Sequence, residues 1–326
     1  MGAHTRPPAG PLLDLGPQSL LWRWAGDMRI AFEGGTAGLL QAMHPAIGQG
    51  LIDHSNFFDD PVDRVFRSLP GILGTIYDGP HANTTGARVR DFHRDIKGTL
   101  PDGVRYHALD PHVYWWAHAT FQHMVHRVAE YWDRHRLTGP EREQLYIEGC
   151  EWYRRYGVTD SVLPADRAAF NREFDRYCRE VLQPNPAADY LIEVIGRRAI
   201  PDMSASPHYP THPKLRPLAN ALLPTLPIRA ALAPPMRLVI FGGLPPIVRE
   251  RFNIAWTAAD ERRYRLIRAT IRTTWRYVPE SLKWHPAARK GWLREIACAN
   301  KHSNQVTEGH TCANRGYSAR TRVEHD

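Results

Sequence analysis

The sequence predicts an all-α fold, built as a single multi-helix domain. Apolar residues recur at helical spacing through most of the chain, whereas no region is rich in the alternating pattern of strands. At 326 residues the chain can bury one large core or two modest ones, and its 43% of hydrophobic residues with ten tryptophans indicates a folded globular protein. No internal repeat of solenoid length is visible, which argues against a repeat architecture.

The predicted helices follow one another with short polar or proline-containing breaks. Nine prolines between Pro201 and Pro235 predict a long connection with one short helix near 215–223, followed by a hydrophobic turn at 236–243. The remaining helices are expected as two in residues 17–54 and then over about 61–78, 85–97, 110–137, 140–156, 165–182, 187–198, 258–277 and 286–296.

Domain boundaries and cellular location are predicted from the chain ends and the cysteines. We expect residues 1–16 to form a flexible proline-rich leader and residues 17–296 to form the helical domain. Residues 297–326 are expected to be a disordered tail. The leader lacks the continuous apolar core of a signal peptide, and no stretch of about 18 or more apolar residues predicts a membrane span. The four cysteines are widely spaced without a C-x-x-C pair, which is typical of a reduced protein. We therefore expect a cytoplasmic protein.

The positive charge is concentrated in one segment near the C-terminus. The formal net charge is +8, and residues 249–294 contain twelve lysines or arginines against four acidic residues. Within that segment, the predicted helix 258–277 carries six arginines interleaved with Tyr264, Trp275 and Tyr277. Such a helix could give the protein a peripheral contact with an anionic membrane surface, or it could bind nucleic acid. An ordinary solvated helix face is the commonest explanation.

Three glycines open the second predicted helix at Gly34, Gly35 and Gly38. Because glycine has no Cβ atom, another helix or a flat ligand can approach that helix closely. The spacing is not G-x-G-x-x-G and no strand precedes it, so a dinucleotide site is not expected.

A histidine occupies the apolar face of the helix predicted over 85–97. Val89, Phe92, His93 and Ile96 stand at i, i+3, i+4 and i+7, which places them on one stripe, while charged residues occupy the other faces. The spacing therefore predicts an imidazole that points into the protein. An inward histidine can bind a metal or a haem iron through a neutral nitrogen, or it can be a core histidine that hydrogen-bonds a carbonyl.

A second candidate face lies on the helix that begins at Asp60-Pro61. Aspartate can cap a helix and proline suits its first turn, so this dipeptide is a good helix start. Arg64 and Ser68 are then i, i+4 on one face, with Arg67 next to it. The two guanidinium groups could neutralise haem propionates or polarise bound dioxygen. Alternatively they form a solvated basic face paired with neighbouring aspartates.

Further histidines and cysteines could ligate a metal. On the helix predicted over 110–137, His112, His123 and His126 share one face, although they lack the glutamate spacing usual for helical metal sites. Four potential zinc ligands of the tail match no standard module; they are Cys298, His302, His310 and Cys312.

The order of these segments resembles the catalytic domain shared by the latex-clearing rubber oxygenases and the MpaB-type oxygenases. The similarity covers about residues 25–295, including a weaker match at GGLPPIVRERFNIAW, residues 242–256. The matching positions are His44-Pro45, His54-Ser55, Asp60-Pro61, Arg64 with Ser68, His93 with Gly98, Tyr106, Ala108, Asp110-Pro111 and His118-Ala119-Thr120.

The resemblance implies an all-α domain that encloses a haem pocket holding a b-type haem. His93 stands where the family carries its proximal iron ligand, and Arg64 with Ser68 stands at the Arg-x-x-x-Thr pair near the haem. Arg67 replaces a distal lysine of rubber oxygenases, and arginine is a poor iron ligand because it stays protonated. His118 is expected to make a buried hydrogen bond or to support the cofactor site without ligating iron.

The family's chemistry implies the function. We expect an oxygenase that uses haem b and dioxygen to cleave C=C bonds of a hydrophobic, isoprenoid-like (prenyl) substrate, or to carry out a related oxygenation, with Arg64, Arg67 and Ser68 as candidate catalytic residues. Residues 34–95 contain no glutamate, so the catalytic base is not assigned. The alternatives are a haem-binding sensor or carrier without turnover, and a helical scaffold or nucleic-acid-binding protein. With the family resemblance we expect no nucleic-acid partner.

Overall fold

The computed structural model describes residues 15–59, 61–202 and 212–298, without the side chains of residues 61–65. Helices dominate these residues, as predicted. In chain order they are α1 (Leu20–Ala25), α2 (Ala31–Ala42), α3 (Pro45–His54), α4 (Pro61–Tyr77), α5 (Ala82–Asp91), α6 (Pro111–Arg127), α7 (Gly139–Arg154), α8 (Arg167–Arg176), α9 (Pro186–Gly196), α10 (Arg216–Leu222), α11 (Leu226–Gly243), α12 (Pro246–Arg251), α13 (Ala258–Thr274), α14 (Glu280–Lys283) and α15 (residues 286–298). Wider π-helical turns extend α6 and α8 over Val128–Trp132 and Tyr177–Val181.

Local sequence explains where most helices begin. Side chains just before a helix accept backbone N–H groups that have no partner inside the helix. Thr138 and Thr257 each complete a capping box with the acidic residue three positions on, Glu141 and Asp260. The side chains of four other residues also accept backbone N–H groups at a helix start, namely Ser19, Asp110, Asp166 and Asn185.

The core is rich in aromatic residues and surrounds α2, α6 and α7. Trp22, Trp116 and Trp152 are among the largest fully buried side chains. Helix α2 lies against α11 at very short range, because a Cβ atom added at Gly35 would lie 2.7 Å from Ile240. The close helix approach expected from this glycine is therefore present.

Residues 97–107 form a small hairpin instead of continuing a helix. The predicted helix 85–97 is wrong at its end, since α5 stops at Asp91 and Phe92 is 72% exposed. Strand β1 (Lys97–Thr99) pairs antiparallel with β2 (Arg105–His107). The turn between them contains Pro101 and Gly103, whose φ of 88° suits glycine, and these residues cannot extend a helix.

Helix α11 corrects the connection and turn predicted for residues 201–243. It runs through Pro234 and Pro235, each of which removes a helical hydrogen bond at a cost of about 3 kcal/mol. The last two turns bury Leu238, Val239, Ile240 and Phe241, and each buried side chain stabilises the fold by about 1.5–3 kcal/mol. Tertiary packing therefore outweighs the local proline signal.

The predictions for the chain ends fall largely outside the described residues. Residues 1–14 and 299–326 lie there, so the flexible leader and disordered tail stay predictions. Among the helices of the described ranges, none combines the length and apolar character needed to cross a membrane.

Candidate active site

His93 lies in the turn that follows α5, where its ring is half-buried. Its Nδ1 is 2.8 Å from the carbonyl oxygen of Val89. A carbonyl can only accept, so Nδ1 carries the proton and donates it, and the neutral ring then has its lone pair on Nε2. This arrangement fixes the tautomer and the ring orientation, as the backbone does for many metal-binding histidines.

Helices α4 and α5 form an antiparallel pair next to this turn. A Cβ atom added at Gly74 would lie 2.9 Å from Thr85 Cγ2, and one added at Gly71 would lie 3.0 Å from Val89 Cγ2. The contact nearer the start of α4 is therefore also the contact nearer the end of α5. The start of α4 and the turn after α5 are therefore at the same end of the pair.

The antiparallel register brings the predicted α4 residues to the level of His93. Ser68 stands about one turn before Gly71, just as His93 stands one turn after Val89. Arg67 and Ser68 are both exposed, so they belong to an open surface beside the His93 turn. Arg64 is one turn closer to the start of the same helix, and its side chain is outside the described part of the structure.

His118 is a core residue of α6, with 2% of its surface exposed. Its Nε2 donates to the carbonyl oxygen of Gly149 at 3.0 Å, which joins α6 to α7. Burial lowers the pKa of His118 to about 4, although the bond to this carbonyl acts in the opposite direction. The buried hydrogen bond expected for this residue is therefore present; its support of a cofactor stays a prediction.

An aromatic cluster connects the two histidines. Tyr114 meets the His93 ring edge-on, with centroids 5.8 Å apart, and its own centroid is 5.5 Å from that of Tyr156. Tyr156 and Tyr153 in turn lie 5.9 and 5.2 Å from the His118 ring. The two histidines therefore lie at opposite ends of one packed group, which lets His118 support the position of His93 only indirectly.

One face of α2 is open near α6. Cβ atoms added at Gly34 or Gly38 would meet no described atom within 4 Å, in contrast to Gly35. Gln41, on the same helix, donates to Ala117 O and Thr120 Oγ1 of α6 at 3.1 and 2.8 Å. Gly34 and Gly38 are four residues apart, so the open space runs along a single helical face.

Two carboxylates, Glu33 on α2 and Asp53 on α3, are engaged in structural bonds. Glu33, just before the glutamate-free segment, is 1% exposed and accepts from Arg127 Nε at 2.7 Å and from Trp132 Nε1 at 2.6 Å. Asp53 accepts from the Tyr106 hydroxyl at 2.6 Å. Burial and this carboxylate raise the pKa of Tyr106. Sequence spacing did not predict the Asp53–Tyr106 pair, because the two residues come from different elements.

The alternative metal sites do not form in the described ranges. No group of three or more histidine, cysteine or acidic side chains there is arranged to hold a metal ion. His112 is exposed, His123 stacks on Phe174 at 4.2 Å, and His126 is buried in the core. The predicted histidine face is therefore divided between solvent and core. Of the predicted tail ligands, the described residues include Cys298, which is exposed.

The low pKa of His118 predicts a pH-dependent stability. The histidine takes up its proton near pH 6.5 in the unfolded chain and near pH 4 in the folded protein. Stability is therefore fully present above about pH 6.5 and is lost as the pH falls toward 4. Between pH 7 and 5 we expect this histidine to contribute a loss of about 2 kcal/mol in the free energy of unfolding.

Urea unfolding of the wild type and of His118→Gln at both pH values measures this contribution. Glutamine can still donate to Gly149 O but does not titrate. Between pH 7 and 5 the free energy of unfolding of His118→Gln should therefore fall by about 2 kcal/mol less than that of the wild type. An identical pH dependence in the two proteins would show that His118 titrates normally.

Comparison with known proteins identifies the family. Residues 22–273 match the family described as ER-bound oxygenase mpaB/B'/Rubber oxygenase, catalytic domain. An uncharacterized protein of Mycobacterium bovis and one of Mycobacterium tuberculosis are each 23% identical to this chain over 253 residues, covering 74% of the chain and 87% of the relative. No solved structure matches it. The chain belongs to the family of MpaB and rubber oxygenase catalytic domains, whose members are oxygenases.

Proposed function

We propose that the protein is a haem b-dependent oxygenase whose iron is held by Nε2 of His93. The observation that carries the proposal is the hydrogen bond from His93 Nδ1 to Val89 O, because it selects the tautomer with a basic Nε2. Membership of an oxygenase family supports the reaction class. The fold-level argument for a hydrophobic, prenyl-type substrate rests on the family alone.

The chemistry of the donors is compatible with a haem. A haem iron can be held by a nitrogen of a neutral, oriented imidazole, and His93 Nε2 would be that donor here. A flat macrocycle also needs a surface without protruding side chains, which Gly34 and Gly38 provide on the open face of α2. When bound, the haem would supply the dioxygen chemistry, while the protein would orient the reactants.

The residues of α4 would act by charge and hydrogen bonding. Arg67 carries a guanidinium group, which could neutralise a propionate or attract a polarised oxygen atom but is a poor ligand for iron. Ser68 offers a hydroxyl donor, and Arg64 stands on the same helix face. His118 would position Tyr114 through the aromatic cluster and would not touch the reactants.

Absorption and oxygen consumption test the proposal together. We expect the purified protein to show a haem Soret band and to consume dioxygen when a prenyl substrate such as squalene is added. A Soret band without substrate-dependent oxygen consumption would favour the sensor or carrier alternative. A colourless protein that binds no added haem would contradict the cofactor assignment.

The open face of α2 gives a second prediction. Gly38→Leu should reduce the haem bound per protein at least about five-fold, because a side chain would occupy the space proposed for the macrocycle. The folded protein should keep its stability, since the added Cβ meets no described atom within 4 Å. Gly139→Leu, at an exposed helix start, is the matched control. Unchanged haem content in Gly38→Leu would place the haem elsewhere.

A further inference from the structure

A basic groove lies between α9, α11 and α13, apart from the His93 turn. It is a cavity of about 230 Å³ at the C-terminal end of α9, where Arg197 and Arg198 follow the helix. Arg237 of α11 and Arg263 of α13 line it from the other two helices. Four arginines from three elements therefore surround one concavity.

The charges in this groove are not balanced. Asp260 is the acidic residue among the lining side chains, and its Oδ2 already accepts from Thr257 N at 3.0 Å. Its Oδ1 is 3.4 Å from Arg237 Nη1. These bonds hold the pKa of Asp260 below its usual value, the backbone bond from Thr257 contributing most. The carboxylate thus offsets one of the four positive charges.

Two of the arginines have no acidic partner among the described residues. Arg197 pairs with Glu193 at 3.2 Å on the exposed surface of α9. Within the described ranges, Arg198 and Arg263 make no ion pair, and both side chains are exposed. Guanidinium groups have a fork of donors that suits phosphate and carboxylate oxygens. An oxyanion in the groove would give these two groups a partner that the described residues do not supply.

The floor of the groove is apolar. Ala233 and Leu238 of α11 line it and are 4% and 7% exposed, and Pro234 and Gly196 complete this surface. A free inorganic anion would gain nothing from such a floor, whereas a hydrocarbon chain would lose contact with water there. Arginines at the edge of the groove and apolar atoms at its floor therefore suit a ligand with an anionic head group and a hydrocarbon tail.

We propose that this groove binds the phosphate head group of an amphiphile, with Arg198 and Arg263 as its principal contacts. The phosphate could belong to a membrane lipid or to a soluble prenyl-type or alkyl phosphate, since both present the same oxyanion on an apolar chain. The groove would also give α13, the arginine-rich helix, a specific role in phosphate binding. Its Arg263 lines the groove, whereas the neighbouring Arg262 is exposed outside the lining. This inference does not depend on haem binding.

Isothermal titration with octyl phosphate, kept below its micelle concentration, tests the site. We expect the wild type to bind octyl phosphate more tightly than inorganic phosphate. Arg198→Ala/Arg263→Ala should weaken octyl phosphate binding at least about ten-fold, as expected for losing charge-assisted hydrogen bonds. Arg262→Ala/Arg289→Ala removes the same charge from exposed positions that do not line the groove, and it should change the affinity less than about three-fold. Circular dichroism of both variants checks that the fold is retained.

Three results would overturn the proposal: no binding of octyl phosphate, equal affinity for octyl and inorganic phosphate, or equal weakening in the two double variants. Vesicle sedimentation identifies the source of the phosphate. Binding to phosphatidylcholine vesicles that contain phosphatidic acid, lost in Arg198→Ala/Arg263→Ala, would assign the groove to a membrane lipid. Binding to octyl phosphate without binding to those vesicles would assign it to a soluble phosphate ester.

Discussion

His93→Ala is expected to remove the haem Soret band while leaving the helical circular dichroism spectrum unchanged. The substitution deletes the imidazole nitrogen that would bind the iron under the proposed function, and it breaks the bond from Nδ1 to Val89 O. That bond lies in a half-buried turn outside α5, so its loss should cost the fold only about 1 kcal/mol. The expected effect is therefore on haem content, which falls by at least about ten-fold.

Two comparisons make this result specific to the ligand. His112→Ala removes an exposed histidine at the start of α6 and should retain full haem. Imidazole added to His93→Ala should restore part of the Soret band, because it can occupy the space left by the side chain and supply the missing nitrogen. The ligand assignment is wrong if His93→Ala keeps full haem and an unchanged spectrum.

The largest expected effect on stability comes from Gly86→Ala. A Cβ atom at Gly86 would lie 2.1 Å from the carbonyl oxygen of Arg155 and 3.1 Å from the amide nitrogen of Tyr156. These are backbone atoms, and Arg155 is further fixed because its Nη1 donates to Thr75 O at 2.8 Å. Helix α5 must therefore move away from the end of α7, and we expect a loss of about 2–3 kcal/mol in the free energy of unfolding.

Gly34→Ala is the matched control for urea unfolding. This glycine is also inside a helix, but an added Cβ meets no described atom within 4 Å. Alanine should therefore stabilise α2 by up to about 1 kcal/mol through its better helix propensity. The contact between α5 and α7 would be disproved if both variants were as stable as the wild type or more so.

Much of the fold was predictable because helix starts are local. The Asp110-Pro111 dipeptide begins α6 through bonds to residues two and three positions on, and Thr138 begins α7 in the same way. Such contacts depend on a few neighbouring residues, so the sequence alone indicates them. The all-α class, the family resemblance and the positions of most helices were accordingly correct.

The sequence indicated candidate residues for the site, whose roles stay predictions, but it did not indicate their geometry. Helical spacing placed His93 and Phe92 together on one inward face of a continuous helix. Phe92 is instead exposed, because α5 ends at Asp91 and the chain turns into the hairpin. The exposure of Arg67 and Ser68 likewise depends on how α4 packs, which spacing along one helix does not reveal.

The helical class, the helix caps and the order of the family's motifs could all be inferred from the amino-acid sequence. Three other features depend on how distant elements pack: α11 continues through two prolines, His118 bonds to a carbonyl 31 residues away, and Asp53 meets Tyr106 across 53 residues. Caps and periodicity act over a few residues, whereas burial and long-range hydrogen bonds exist only after distant elements have packed together.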